Sequence, residues 1–461
     1  MEAGKFMDFC KVANNLFDKI CTEFDTIWQK RKRVLSSKLL VLFILKLVLS
    51  KNKQGYGSNL IQFWESCAEK GIMLPQINSV AASSLCEARQ KLPEEIFKKL
   101  NTELLSHWHS YQDSPTWNGH RIFAVDGSKI NAPRELLSYG YKLETPLQHY
   151  PRGLMSCMYN LLEQTVYDFD FVAHCDERLC AIEHLNHLTT NDIVIFDRGY
   201  FSYYLLYKII ELNLHVVFRM PRGTVSNQVA AFWESDNCDE IIEYIPSKEV
   251  KYSLKKRGID IELKPLRIRL IKHKIGDETY VYATTLIGKT YPIECFADLY
   301  HERWGIEELY KISKSFIEVD DFHAKTERGV KHELYGHLLI INIARIFEFN
   351  AKNMLPSIIQ NTNETVTDEN SNTINYEVEN QIVNSIKMNF KNCILVVGRY
   401  LENLILAPVT CINSWLDMAT NAIAKLRQKV RPNRSYQRRS HKPRAKWYSG
   451  GKVVFNTKIA V

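Results

Sequence analysis

Arg121-Ile122-Phe123-Ala124-Val125-Asp126-Gly127-Ser128 is a short apolar run that ends in an acid. Four uninterrupted apolar residues read as a strand buried on both faces, and the Gly-Ser that follows reads as a turn. The device recurs at Ile193-Val194-Ile195-Phe196-Asp197, followed by Arg198-Gly199-Tyr200. Between the two copies, residues 155–162 and 165–173 can pair as strands, and 176–188 reads as a helix. A helix over 203–212 and a strand over 215–219 complete a β-β-β-α-β-α-β order, which defines an α/β fold with a mixed sheet. Adjacent strands lie about 4.8 Å apart, so acids that end two of them can converge at one sheet edge.

Outward from this core the pattern changes. Residues 1–118 are helical in spacing, with Phe6, Phe9 and Val12, the apolar run 39–49, and 79–92, punctuated by Gly71 and Pro75. The run 39–49 is broken by Lys46 and is too short to span a bilayer, so it reads as a buried helix and no membrane partner is expected. Between 221 and 290 the pattern turns to β-hairpins. There Leu266, Ile268 and Leu270 alternate with Arg267 and Arg269, giving a strand whose arginine face can lie along a nucleic-acid backbone. Residues 333–350 and 382–406 read as long helices, and 360–381, rich in Asn, Thr and Glu, as a mobile loop. The tail 425–447 carries Lys425, Arg427, Lys429, Arg431, Arg434, Arg438, Arg439, Lys442, Arg444 and Lys446 without an acid, interleaved with Tyr436 and Trp447. Such a run repels itself until phosphates neutralise it.

At 461 residues and 45% hydrophobic content the chain can bury several cores, and its formal charge of +8 favours a polyanionic partner. The eleven cysteines are scattered, and the start Met1-Glu2-Ala3-Gly4-Lys5 lacks a signal-peptide pattern, so a reducing, cytoplasmic setting is expected. No Gly-rich phosphate loop is present, so no nucleotide cofactor is expected.

Tyr300-His301-Glu302-Arg303-Trp304-Gly305-Ile306-Glu307, carried on to Lys314, supplies a third acid. At about 100° per residue on one helix, Tyr300, Arg303, Glu307 and Lys314 fall within roughly 60° of arc. Alone, such i,i+4 pairs suit any solvated helix. With Asp126 and Asp197 the meaning changes, because three carboxylates at one sheet edge repel one another unless cations neutralise them. Oxygen-only ligation suits Mg²⁺ or Mn²⁺, and a pair of such ions stabilises both the attacking and the leaving oxygen of phosphodiester cleavage.

The strand ending Asp126-Gly127-Ser128, the strand ending Asp197-Arg198-Gly199-Tyr200 and the spacing Tyr300-x2-Arg303-x3-Glu307-x6-Lys314 resemble the DDE transposases of bacterial insertion sequences, in the branch marked by a Tyr-Arg-Glu-Lys signature. The resemblance covers roughly residues 79–447, since 83–92 is similar to a helix that precedes the catalytic core and the basic tail with Trp447 to the usual ending. It implies a ribonuclease H-like core over 119–345 with a β-rich insertion at about 221–290, an N-terminal helical domain over 1–118 that binds the element's ends, and a C-terminal helical region over 346–461. It also implies cut-and-paste transposition, with Asp126, Asp197 and Glu307 as catalytic metal ligands for Mg²⁺ or Mn²⁺. Arg303 and Lys314 would hold phosphates, with Tyr300 hydrogen-bonding a phosphate oxygen. Arg267, Arg269, Arg438 and Arg439 are further DNA-contact candidates. The partners implied are terminal inverted repeats, target DNA and a second copy of the chain in the synaptic complex.

Rival readings are a nuclease of the same fold without strand transfer and a non-catalytic DNA-binding regulator. Trp304 or Trp233 can stack on an unpaired base, though core packing is the simpler role. Cys180, His184 and His187 share a helix face on which zinc is geometrically feasible, yet a packed helix explains them more simply. His323, His332 and His337 receive no catalytic role.

Overall fold

Apolar residues at helical spacing set the first five elements. The computed structural model describes residues 3–29, 33–50, 54–222, 226–288, 290–361 and 386–429. Its opening helices are α1 (Ala3–Trp28), α2 (Ser37–Leu49), α3 (Tyr56–Glu69), α4 (Ala82–Lys91) and α5 (Glu95–Tyr111). As expected, α2 is a core helix: it is buried from Leu39 to Leu45, and Ser36 caps it by accepting from the Leu39 N–H.

The sheet follows. Its strands and intervening helices are β1 (Ile122–Asn131), β2 (Arg152–Asn160), β3 (Thr165–Val172), α6 (Glu177–Leu185), β4 (Ile193–Phe196), α7 (Tyr203–Glu211) and β5 (His215–Arg219). Then come α8 (Asn227–Glu234), β6 (Asp239–Tyr244), α9 (Lys248–Lys256), β7 (Leu266–Ile275), β8 (Glu278–Thr284), α10 (Cys295–His301) and α11 (Trp304–Ile312). Strand order is β3-β2-β1-β4-β5-β8-β7-β6. Parallel β1, β4 and β5 are buried along their apolar runs, as strands covered on both faces must be. β2 pairs antiparallel with β3. The β1–β2 pairing is also antiparallel, for the Leu161 N–H donates to the Ile122 carbonyl and the Ala132 N–H to the Pro151 carbonyl. The result is a mixed, eight-stranded sheet, as the α/β reading expected.

The insertion departs from a run of hairpins in two ways. It contains the short helices α8 and α9, each capped by a serine, Ser226 and Ser247. Its strands also form no separate layer: β8 pairs antiparallel with β5, so β8, β7 and β6 prolong the core sheet.

The remaining elements are α12 (Glu327–Asn361), β9 (Ile386–Met388), α13 (Phe390–Leu406), α14 (Val409–Lys425) and β10 (Arg427–Lys429). α12 is longer than its apolar spacing suggested. The second long helix begins later than residue 382, because Asn389 caps α13 and a short strand precedes it. The loop expected over 360–381 lies outside the described residues from 362 onward, as does the basic tail from 430. Among the described residues no helix is long and apolar enough to cross a membrane. Contacts group the chain into two compact units, one of Ser114–Ile130 with Gly153–Lys311, the other of Met1–Asp113, Asn131–Arg152 and Ile312–Val461.

In the second unit a buried polar cluster ties α4 to α12. Arg89 donates to the Glu333 carboxylate and to the Gly329 carbonyl, both at 2.8 Å, and to the Tyr56 hydroxyl at 2.7 Å. His332, one residue away, shares a hydrogen bond with the Leu92 carbonyl through Nε2 at 3.0 Å. Burial above all, then the Arg89 charge, lowers its pKa from 6.5 to about 3. The folded protein therefore keeps His332 neutral while the unfolded chain protonates it, so stability falls as pH drops below 6.5. We expect His332→Gln, which retains a donor for Leu92, to lose about 2 kcal/mol less stability than the parent between pH 6.5 and 5. Urea unfolding at both pH values checks this; equal losses would contradict it.

Candidate active site

The parallel pairing of β1 with β4 aligns Ile122 with Ile193, Phe123 with Val194 and Ala124 with Ile195. Two residues beyond the last of these pairs come Asp126, still within β1, and Asp197, one residue past the end of β4, and the charge of Asp197 acts on the Asp126 carboxyl. Asp126 does not end its strand, as the Gly-Ser turn reading expected, because β1 runs on to Asn131. Gly127 serves close packing instead: a Cβ there would lie 2.8 Å from Leu154 Cδ1 and 2.9 Å from Glu177 Cγ. The Gly127 N–H donates to Asp126 Oδ1 at 2.9 Å, and the Gly199 N–H to Asp197 Oδ1 at 2.8 Å. From α11 the Tyr310 hydroxyl donates to the Asp126 carbonyl at 2.6 Å, which fastens that helix to the strand bearing the first acid.

Burial, and then the charges of Asp197 and Glu177, push the Asp126 carboxyl up to about 7, against the Gly127 N–H and the Arg303 guanidinium, which pull it down. Glu177 is itself raised, by burial and then by Asp197. Sequence reasoning missed this fourth carboxylate. The available signal was an acid at the first position of a helix, directly after Asp176, whose side chain caps that helix at the Leu179 N–H. Tyr200 is 1% exposed, and burial with the charges of Asp126, Glu177 and Asp197 raises its pKa. Its hydroxyl faces these acids without a hydrogen bond of normal geometry.

Glu307 stands on α11, bound to Arg303 Nη2 at 2.5 Å. The Arg303 guanidinium also lies 5.5 Å from the centre of the Tyr300 ring. One continuous helix face does not carry the signature, however. α10 ends at His301, and a tight turn follows in which the Arg303 N–H bonds the Tyr300 carbonyl and the Gly305 N–H the Glu302 carbonyl. Lys314 falls in a π-helical turn, Ser313–Ile317, that belongs to the helical unit, where its charge acts on Asp320. Thus the structure brings Tyr300, Arg303 and Glu307 together.

Among the described residues no three His, Cys, Asp or Glu side chains stand close enough to hold a metal ion as they are placed. The donor types of Asp126, Asp197 and Glu307 nonetheless fit a hard divalent cation: all are carboxylate oxygens, and Asp126 is held unfavourably by burial and like charge, which a cation reverses.

The arginine face expected on β7 is divided. Arg267 is exposed, whereas Arg269 is buried, bidentate to Asp239 at 2.7 Å for both bonds, and donates to the Tyr291 carbonyl at 2.7 Å. Arg269 is therefore engaged within the protein and presents no free face to a backbone. Arg438 and Arg439 lie outside the described residues. Trp233 packs against the sheet's core, while Trp304 is 50% exposed. The zinc arrangement is not formed, since His184 lies between Ser156 Oγ at 3.0 Å and Asp168 Oδ2 at 2.6 Å with both ring nitrogens engaged.

Residues 117–343, just under half of the chain, match the transposase DDE domain family. It is 22% identical over 285 residues to the transposase InsG for insertion sequence element IS4 of Escherichia coli, a match covering 59% of this chain and 63% of that protein. Among solved structures, the piggyBac transposase synaptic complex with hairpin DNA is similar at 9% identity and a TM-score of 0.39, covering 92% of this chain and 86% of that one.

Because a methyl group at Gly127 would collide with both Leu154 and Glu177, Gly127→Ala is expected to cost about 1–3 kcal/mol. A denaturant midpoint unchanged from the parent would show that the strand tolerates the side chain.

Proposed function

We propose that the chain is a DNA transposase that moves an insertion sequence by cut-and-paste, of the branch marked by the Tyr-Arg-Glu-Lys signature. What supports this reading is the parallel pairing of β1 with β4, which carries Asp126 on β1 and Asp197 just past the end of β4 within a stretch matching the transposase DDE domain, with Glu307 following on α11. Asp126, Asp197 and Glu307 are the residues that would hold Mg²⁺ or Mn²⁺. When bound, such ions stabilise charge on the attacking and leaving oxygens of a phosphodiester.

The chain's own groups do the rest. Arg303, held by Glu307 and flanked by Tyr300, is placed to take a phosphate oxygen once Glu307 turns to other work. The Tyr310 bond to the Asp126 backbone keeps α11 and β1 in one geometry. The partly buried setting of the acids limits competing water. Residues 1–118 would recognise the element's ends, residues 119–345 would cut and join, and two copies would bring paired ends together. Lys314, Arg267 and the basic tail with Arg438 and Arg439 are further phosphate contacts in this reading.

The test is cleavage of a labelled duplex carrying the DNA that flanks the gene, with Mg²⁺ present. The parent should give nicked and then joined or hairpin products, and Asp126→Asn, Asp197→Asn and Glu307→Gln should each lose activity on the order of a thousandfold while folding normally. Variants that cut as well as the parent would remove these residues from the site. Hydrolysis without joining would point to a nuclease.

A further inference from the structure

The short helix α9 of the sheet-bearing unit carries four exposed lysines. Val250 and Leu254 pack against the core and fix which side of α9 faces inward. At about 100° per residue, Lys248, Lys251, Tyr252, Lys255 and Lys256 then occupy the opposite arc of roughly 140°. All five are exposed, Tyr252 at 72%. The only acid on the helix, Glu249, sits at the edge of that arc in the first turn, beside the Ser247 cap. Four lysines on nine residues of one helix repel one another, and a polyanion laid along them relieves that repulsion.

The position of α9 names the polyanion. Just past its C-terminus, Arg257 Nη2 lies 3.7 Å from Asp176 Oδ2. Asp176 caps α6 directly before Glu177, whose carboxyl is raised by burial and then by Asp197, and Arg178 donates to the Gly199 carbonyl at 2.7 Å. The C-terminal end of the basic helix is therefore tied to the rim of the acid cluster. A duplex with one phosphodiester at the acids can continue along the lysines, which meet backbone charge and carry no fixed geometry for reading bases.

We propose that α9 is a phosphate-contacting helix, distinct from the signature residues, that holds the backbone of double-stranded DNA leading away from the catalytic acids, independently of sequence. This rests on the transposase reading above. The probe is a fluorescein-labelled duplex of about 30 base pairs of arbitrary sequence, bound to the full chain in EDTA and followed by anisotropy over a salt series. Replacing Lys248, Lys251, Lys255 and Lys256 by Gln should weaken binding at low salt and reduce the slope of log K against log salt by about 2–4, since each phosphate contact contributes about 0.9. Circular dichroism should show unchanged folding, because the replaced side chains are exposed. The same four-fold change on Lys11, Lys19, Lys98 and Lys99 provides a charge-matched control and should leave the slope closer to that of the parent. An unchanged slope in the α9 variant, or an equal loss in the control, overturns the inference while leaving the function intact. A parent chain that binds no duplex at any salt concentration overturns both.

Discussion

Asp126 on buried β1 and Asp197 just past the end of its parallel neighbour β4 are like charges that act on each other, an unfavourable placement to which the groups around them respond. The β1–β4 register leaves no freedom, since a slip by one residue would send one of the two acids to the other face of the sheet. What offsets the repulsion is local. Backbone amides of Gly127 and Gly199 each donate to one carboxylate, and the Arg303 guanidinium lowers the Asp126 carboxyl from a distance. These are incomplete remedies, for Asp126 still stands well above the ordinary aspartate range. A site held in this condition favours a cation over a proton as soon as one is offered.

Arg303 gives the site a second feature. It is bound to Glu307, packed near the ring of Tyr300 and felt by Asp126. One guanidinium thus stands in part for positive charge among the acids, while being the group best suited to a planar phosphate oxygen pair. The turn at Glu302 and Arg303 makes this arrangement geometric: by interrupting the helix between α10 and α11, it lets Arg303 turn toward both Tyr300 and Glu307.

The core of this arrangement was legible in the sequence because fully buried strands leave uninterrupted apolar runs. Residues 193–196 and 215–219 coincide with β4 and β5, and the two acids at residues 126 and 197 follow from them. Other features depend on neighbours that sequence does not display. Gly127-Ser128 has turn chemistry, but β1 continues through it, and the glycine fits there because Leu154 and Glu177 leave no room for a Cβ. Arg269 alternates as a surface residue should, yet Asp239 on β6 receives it. Periodicity assumed one unbroken helix from Tyr300 to Lys314, whereas a turn precedes α11 and Lys314 lies in a π-helical turn. Glu177 was hidden for a simpler reason: nothing in its local spacing reveals that α6 begins beside β1.

The attachment of the insertion through β8 bears on how the chain folds. β5 is flanked by β4 on one side and by β8 on the other, and about 60 residues intervene before β8 arrives. Until that long loop closes, Val216, Val217 and Phe218 line an unpaired, apolar strand edge of the kind that recruits other chains. The hairpin β7–β8 is local and can form early, whereas its docking on β5 is the non-local step. The insertion therefore acts as the molecule's own edge guard, and a nascent chain remains most vulnerable to self-association between the emergence of β5 and the arrival of β8.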